Sequence, residues 1–183
     1  TNASDTLPAD MGTTPDPVAE AAEYQRFLLA KLGDDDPAEV QAATPAALRT
    51  LFWEAGDRLR ARPAPSEWSV LETAGHMLDG EVVTAARYRW ILAEEEPRLV
   101  GYDQELWMER LRHNEDDPDQ LLAAFEALRA GNLALWSRSS ADERARIGLH
   151  EERGPESYEL LFRLIAGHDR NHLAQARNAL GAG

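Results

Sequence analysis

LLFRLIAGHDRNHLAQARNAL, residues 160–180, sets His168 and His172 one helical turn apart. Both fall on the apolar stripe that begins at Leu161, Leu164 and Ile165 and continues to Ala176 and Ala179. At about 3.6 residues per turn, positions 165, 168, 172 and 176 share one face. The stretch therefore reads as a long amphipathic helix with two imidazoles on the side that meets the core. A buried imidazole needs a partner, and two at i, i+4 commonly share a metal ion. The alternative is a pair of core histidines satisfied by carboxylates or carbonyls, and spacing alone leaves both readings open.

Working upstream, Ser69-Val70-Leu71-Glu72 is a capping box. The helix it opens runs to about residue 95, before Pro97, and is apolar on two sides. Leu71, Ala74, Leu78, Val82, Ala85 and Leu92 make one face; Val83, Ala86 and Trp90 make the other. Such a helix belongs between neighbours, near the middle of a bundle, and His76 and Asp79 lie on its second face. Asp117-Pro118 pairs an N-cap with proline at the first helical position. It precedes Leu121, Phe125, Leu128, Asn132 and Leu135 at helical spacing. Thr44-Pro45 reads as the same start signal for Leu48, Leu51, Phe52, Ala55 and Leu59, with Pro63 and Pro65 as the stop. Asp16-Pro17 opens a further helix to Leu32, ended by Gly33 and the acidic residues 34–36. Residues 1–15 are polar and read as an arm or a surface-hugging lead-in. Trp107 and Leu111 mark a short helix or packed loop, and Gly148, Gly154 and Pro155 a connection. Strand signals are scarce, so the fold class is all-α, a helical bundle with an additional N-terminal helix.

Cysteine is absent, which excludes disulfides, thiolate metal sites and a sulfur nucleophile; a metal here must be held by histidine and carboxylate. Thirty-three acidic against nineteen basic residues give a net charge of −14, a surface that repels nucleic-acid phosphate and anionic lipid. The N-terminus has neither the basic start nor the apolar run of a signal peptide, and no stretch approaches the ~18 apolar residues of a membrane span. A cytoplasmic location is the expectation.

Of the five histidines, His76, His168 and His172 sit mid-helix on apolar faces. His113 in RLRHNEDD and His150 in GLHEERG lie in polar connections and read as solvated surface residues. EWSVLETAGHMLDGE (residues 67–81), then an acidic long helix, then GLHEERGPESYELLFRLIAGHDRNHLAQ (residues 148–175), resembles the DinB/YfiT-like superfamily of metalloenzymes. This is the damage-inducible family and not the DNA polymerase of similar name. The resemblance covers about residues 44–180, which makes residues 1–43 an N-terminal extension with one accessory helix and residues 44–183 the metal-binding domain. It implies a four-helix bundle in an up-up-down-down arrangement. It also implies one divalent metal held by a histidine of the second bundle helix and two of the fourth, which are His76, His168 and His172 here.

Three imidazoles would leave coordination positions open to water or substrate. Family members resemble metal-dependent hydrolases in some cases and, in others, S-transferases or isomerases using a low-molecular-weight thiol. The sequence does not choose between them, nor exclude a non-catalytic bundle with a structural metal or none. Imidazole donors suit zinc and nickel equally, and iron or copper as well. The substrate is an unidentified small molecule, and the resemblance, with the prevalence of two-fold oligomers, points to a homodimer.

Secondary candidates surround the three histidines. Asp79, one turn from His76, is the candidate catalytic residue: it can orient that imidazole, complete the coordination or act as a base, or it is a helix-surface acid. Asp169 and Asn171 suit contacts to a neighbouring helix, and Glu81 a salt bridge. Arg87, three turns from His76, either greets an anionic substrate or is exposed. Gln175 lines the site or the surface, and the five tryptophans read as helix packing.

Overall fold

The computed structural model describes residues 15–16 and 19–181. In chain order the helices are α1 (Ala21–Leu32), α2 (Pro37–Ala55) and α3 (Val70–Ala93). A short strand β1 (Arg98–Leu99) precedes α4 (Gln104–Leu111), α5 (Pro118–Arg138) and the short α6 (Ala141–Ala145). A hairpin of β2 (Ile147–His150) and β3 (Gly154–Ser157) then leads into α7 (Tyr158–Gly181). β1 joins this hairpin in parallel, Arg98 opposite Leu149, making a small three-stranded sheet where the sequence suggests only a connection. Its strands are two to four residues long, too short for a period-2 pattern to stand out.

The expected starts of α3 and α5 are observed. Ser69 and Glu72 complete the reciprocal capping box, and the Asp117 carboxylate accepts from the amides of Asp119 and Gln120. Asp16 accepts from the Ala19 amide at 2.7 Å in the turn leading to α1. Pro17 and nearly all of the expected arm lie outside the described residues. The Thr44-Pro45 start is corrected, since α2 begins eight residues earlier, at Asp36-Pro37. There the Asp36 carboxylate accepts from the amides of Ala38 (2.7 Å) and Glu39 (3.1 Å). The boundary drawn between residues 43 and 44 thus falls inside a helix. Pro45 has no N–H for the carbonyl of Gln41, normally a costly break. Arg129 of α5 repairs it, with Nη1 donating to Gln41 O at 3.0 Å.

Helices α2, α7, α3 and α5 form the four corners of the bundle in that order, with α1 laid along α7. Gln41 meets Phe162 and Arg58 meets Leu180, so α2 and α7 run the same way. His76 meets His172 and Tyr88 meets Tyr158, so α3 runs against α7. Gln41 meets Arg129 and Arg49 meets Glu126, so α5 runs against α2. Around the bundle the order is up, up, down, down; along the chain it is up, down, down, up. α1 docks on Gly167, where a Cβ would overlap the Leu28 carbonyl, and Arg170 donates to the terminal carbonyls Lys31 O and Leu32 O. Among the described residues no helix is long and apolar enough to cross a membrane.

Two apolar clusters fill the bundle, one around Leu71, Phe125 and Leu173, the other around Tyr88, Tyr158 and Phe162. Between them lies a buried polar layer. Arg129, 1% exposed, donates to Glu81 (3.0 and 2.8 Å) and to Asp169 (2.5 and 3.1 Å). Asn132 donates to Glu81 and Thr44 to Asp169, each at 2.8 Å. Burial opposes the Arg129 charge, but the two carboxylates outweigh it and hold its pKa above the ordinary value. The salt bridge expected of Glu81 and the neighbouring-helix contact expected of Asp169 are both here. Trp53, at 83% exposed, departs from the packing role expected of the tryptophans, as Trp90 does in part.

Removing one partner of a buried ion cluster leaves charge uncompensated in low dielectric. Arg129→Met is therefore expected to cost about 3–5 kcal/mol in urea denaturation. A loss below about 1 kcal/mol, the scale of an exposed pair, would show that water already screens the cluster.

Candidate metal centre

α3 and α7 run against each other with His76 facing the His168–His172 pair, so three imidazoles meet inside the bundle. One nitrogen of each lies within 4.8 Å of the other two. His76 Nε2 and His168 Nε2 are 3.1 Å apart, and the His172 ring centroid lies 4.6 and 4.2 Å from the other two. Burial lowers all three pKa values: His172 falls to about 4, His76 and His168 well below 6.5, each of the latter pushed further by its histidine neighbours. Near neutral pH the three imidazoles are uncharged and carry lone pairs.

His172 is the most telling. Its Nδ1 donates to Gln175 Oε1 at 2.8 Å, which fixes the tautomer and leaves Nε2 bare. That Nε2 is buried and has no partner. An unsatisfied buried acceptor costs about 1–3 kcal/mol. A divalent cation is the natural partner for a bare Nε2 beside two more neutral imidazoles, and the donor set fits one. Gln175 thus belongs to the site. Trp68, just before the Ser69 cap, covers its flank, with ring centroids 4.9 Å from His76 and 6.2 Å from His172. The sequence reading placed Trp68 with the packing residues; its position beside the first histidine helix was the available signal.

Asp79 is buried, not on the helix surface, and its Oδ2 accepts from His113 Nε2 at 2.8 Å. His113 Nδ1 meets Asp116 at 2.7 Å. The expectation of a solvated His113 is overturned: it is 6% exposed. Arg112, with φ 55°, turns the chain so that His113 packs over Gly75, where a Cβ would overlap the ring. The polar neighbours in RLRHNEDD face outward and hid this. His150 is likewise buried, because alternate residues of β2 face the bundle. Arg87 is buried as well. Among the described residues the Asn171 side chain has no hydrogen-bond partner.

A cavity of about 520 Å³ opens beside the histidines. His76 and His168 line it, with Leu161, Leu164 and Ile165 as an apolar wall and Arg87, Tyr102 and His150 farther along. Burial raises the Tyr102 pKa, so its phenol stays protonated near neutral pH.

The DinB superfamily profile matches residues 38–176. The Bacillus subtilis protein named "Putative metal-dependent hydrolase YfiT" is 26% identical over 112 residues, 58% of this chain and 61% of that one. "Putative metal-dependent hydrolase OB0782" of Oceanobacillus iheyensis is 28% identical over 108 residues, 58% and 62% of the two chains. The matches span about three fifths of these curated relatives. The solved structure of Bacillus subtilis YfiT, described as having "an unusual four-helix bundle topology", superposes with TM-score 0.72 at 20% identity. It covers 96% of this chain and 91% of its own.

The hydrogen bond to Asp79, aided by the one to Asp116 and opposed by burial, raises the His113 pKa from 6.5 to about 9. A proton held more tightly in the folded state stabilises it fully below the unfolded pKa, and that gain is lost as pH rises through the folded pKa. With metal stripped from both proteins, wild-type urea stability should therefore fall between pH 6.5 and about 9 relative to His113→Asn. Parallel pH curves would sink the assignment.

Proposed function

The chain belongs to the DinB superfamily, and from that membership we propose that it is a metal-dependent hydrolase of small molecules whose divalent ion is held by His76, His168 and His172. The observation that carries this reading is the bare, buried Nε2 of His172, set against two further neutral imidazoles at the mouth of a cavity. When bound, the ion supplies Lewis acidity to water, to a polarised carbonyl or to a thiol at its open positions. All-imidazole ligation makes zinc and nickel the leading occupants, with iron behind them.

The chain's own residues supply the rest. Gln175 orients His172 through Nδ1, the kind of outer contact that tunes a ligand. Trp68 shuts one flank against water, and the wall of Leu161, Leu164 and Ile165 receives the apolar part of a substrate. Asp79 is committed to His113, so in this reading it is a positioning residue that anchors α3 beside His76.

Protein purified without an affinity tag should hold about one equivalent of zinc or nickel by elemental analysis, one ion being what a single three-histidine site accommodates. His168→Ala should lose it; unchanged metal content would overturn the ligand set. Gln175→Leu should weaken metal binding about 10- to 100-fold while leaving the helix content intact. In a panel of esters and amides, turnover that needs added cysteine or glutathione and is lost in His76→Ala would replace hydrolysis with the thiol-dependent transfer the family resemblance also implies.

A further inference from the structure

The cavity beside His76 and His168 runs along α3. His76, Gly80, Thr84 and Arg87 are spaced four, four and three residues apart and all line it. They form one strip of the helix, about 16 Å from end to end at ~1.5 Å per residue. The small residues between keep the floor low: a Cβ on Gly80 would stand 3.4 Å from His168 Cε1.

At the far end of the strip sits a buried guanidinium without an ion-pair partner, although Asp103, Glu105, Glu151 and Glu152 also line the cavity. Arg87 is 5% exposed, and among the described residues no carboxylate pairs with it. Its Nη2 donates to Val100 O at 2.6 Å and stands 3.2 Å from His150 Nε2, while its Nε is buried without a partner. On its other side, His150 Nδ1 faces the Glu152 amide N–H at 3.2 Å. A neutral imidazole has one lone pair, so it can accept from Arg87 or from the amide but not from both. Burial, reinforced by Arg153 and Arg87, keeps His150 neutral, with a pKa near 4. One of the two contacts is therefore donor against donor, and the pair lacks an acceptor. Arg153 does not share this deficit. It is taken up by Glu156 at 2.6 and 3.0 Å, and Gln25 adds a third donor to that carboxylate. Glu152 borders the same end of the cavity but makes no hydrogen bond to Arg87.

We propose that Arg87 and His150 form an oxyanion-recognition end of the substrate cavity. The substrate is then a small molecule with a carboxylate or phosphate-type group at one end, an apolar body, and its scissile group at the other. The inference deepens the reading above and rests on it for the identity of the reacting end. Helix side chains lean toward the N-terminus, so Arg87 reaches back toward His76, and the spacing between the two ends is on the order of 10 Å. The volume, about 520 Å³, suits a ligand of that size. The chain's net charge of −14 opposes anions at long range, but salt screens that field within about 8 Å, so selection falls to local donors.

The test is calorimetric titration of the full chain with 4-phenylbutyrate, 3-phenylpropylphosphonate and the neutral 4-phenylbutyramide. The protein is stripped of metal, because a bound ion would itself attract the acids. At least one acid should bind about tenfold or more tightly than the amide, the scale of one charge-assisted hydrogen bond. The tighter acid identifies the head group. Arg87→Gln should erase the preference while the metal content of the protein as purified, before stripping, stays unchanged, and Arg87→Lys should keep part of it. Equal binding of all three ligands, or a preference that survives Arg87→Gln, would overturn the proposal. If Arg87→Gln fails to fold, the exposed Glu152→Gln decides: the acids should tighten while the amide does not, and equal changes overturn it. His168→Ala, titrated in the same way, should retain the preference for acids even as it loses metal, so failure of the histidine ligand set and failure of the Arg87 site are read separately.

Discussion

Arg129 is the constraint on which the bundle turns. Its guanidinium binds Glu81 on α3, Asp169 on α7 and the Gln41 carbonyl on α2, so one side chain of α5 engages the other three helices of the bundle. A buried ion cluster adds little net stability compared with a well-packed apolar layer, because desolvating the charges offsets their attraction. What its geometry favours is one register. A fork of donors aimed at two carboxylates and a carbonyl is more exacting about alignment than apolar contacts are.

That register places the histidines. Glu81 and Asp169 point into the polar layer, while Gly80 and His168, one residue away from each, face the cavity on the other side. Fixing the first pair fixes the second, and with it the approach of His76 to His168 and His172. The cavity that results has neutral imidazoles at one end and the buried Arg87 beside His150 at the other. Among the described residues the His172 Nε2 and the Arg87 Nε are both buried without a partner, and a native fold rarely leaves such groups unmatched.

Much of this was legible in the sequence because helices announce themselves locally. The capping box at Ser69, the Asp-Pro start at Asp117 and the i, i+4 spacing of His168 and His172 all act within one chain segment. His76, mid-helix on an apolar face of the separately capped helix, stood out as a third, and the family resemblance added a fold in which the two helices meet. Thr44-Pro45 misled because a proline at the first helical position and a proline within a helix look alike in sequence. The difference lay eighty-eight residues away, in Arg129 taking the orphaned Gln41 carbonyl. His113 and His150 misled because their neighbours are polar. The two side chains nevertheless turn inward, one after a left-handed residue, the other by strand alternation. Trp53 erred the other way, a large apolar ring left on the surface.

The sequence by itself determined the periodic faces, the helix starts at Ser69 and Asp117, the absence of thiolate ligands and the one-turn spacing of two imidazoles. Tertiary structure alone decided that Asp79 belongs to His113, that Gln175 orients His172, that Trp68 covers the site and that Arg87 is buried with no paired carboxylate among the described residues. The division has a physical cause. Periodicity and capping are set by hydrogen bonds that span three or four residues, whereas the partner of a buried polar group is chosen by whichever helix packs against it, and that choice is made between segments rather than within one.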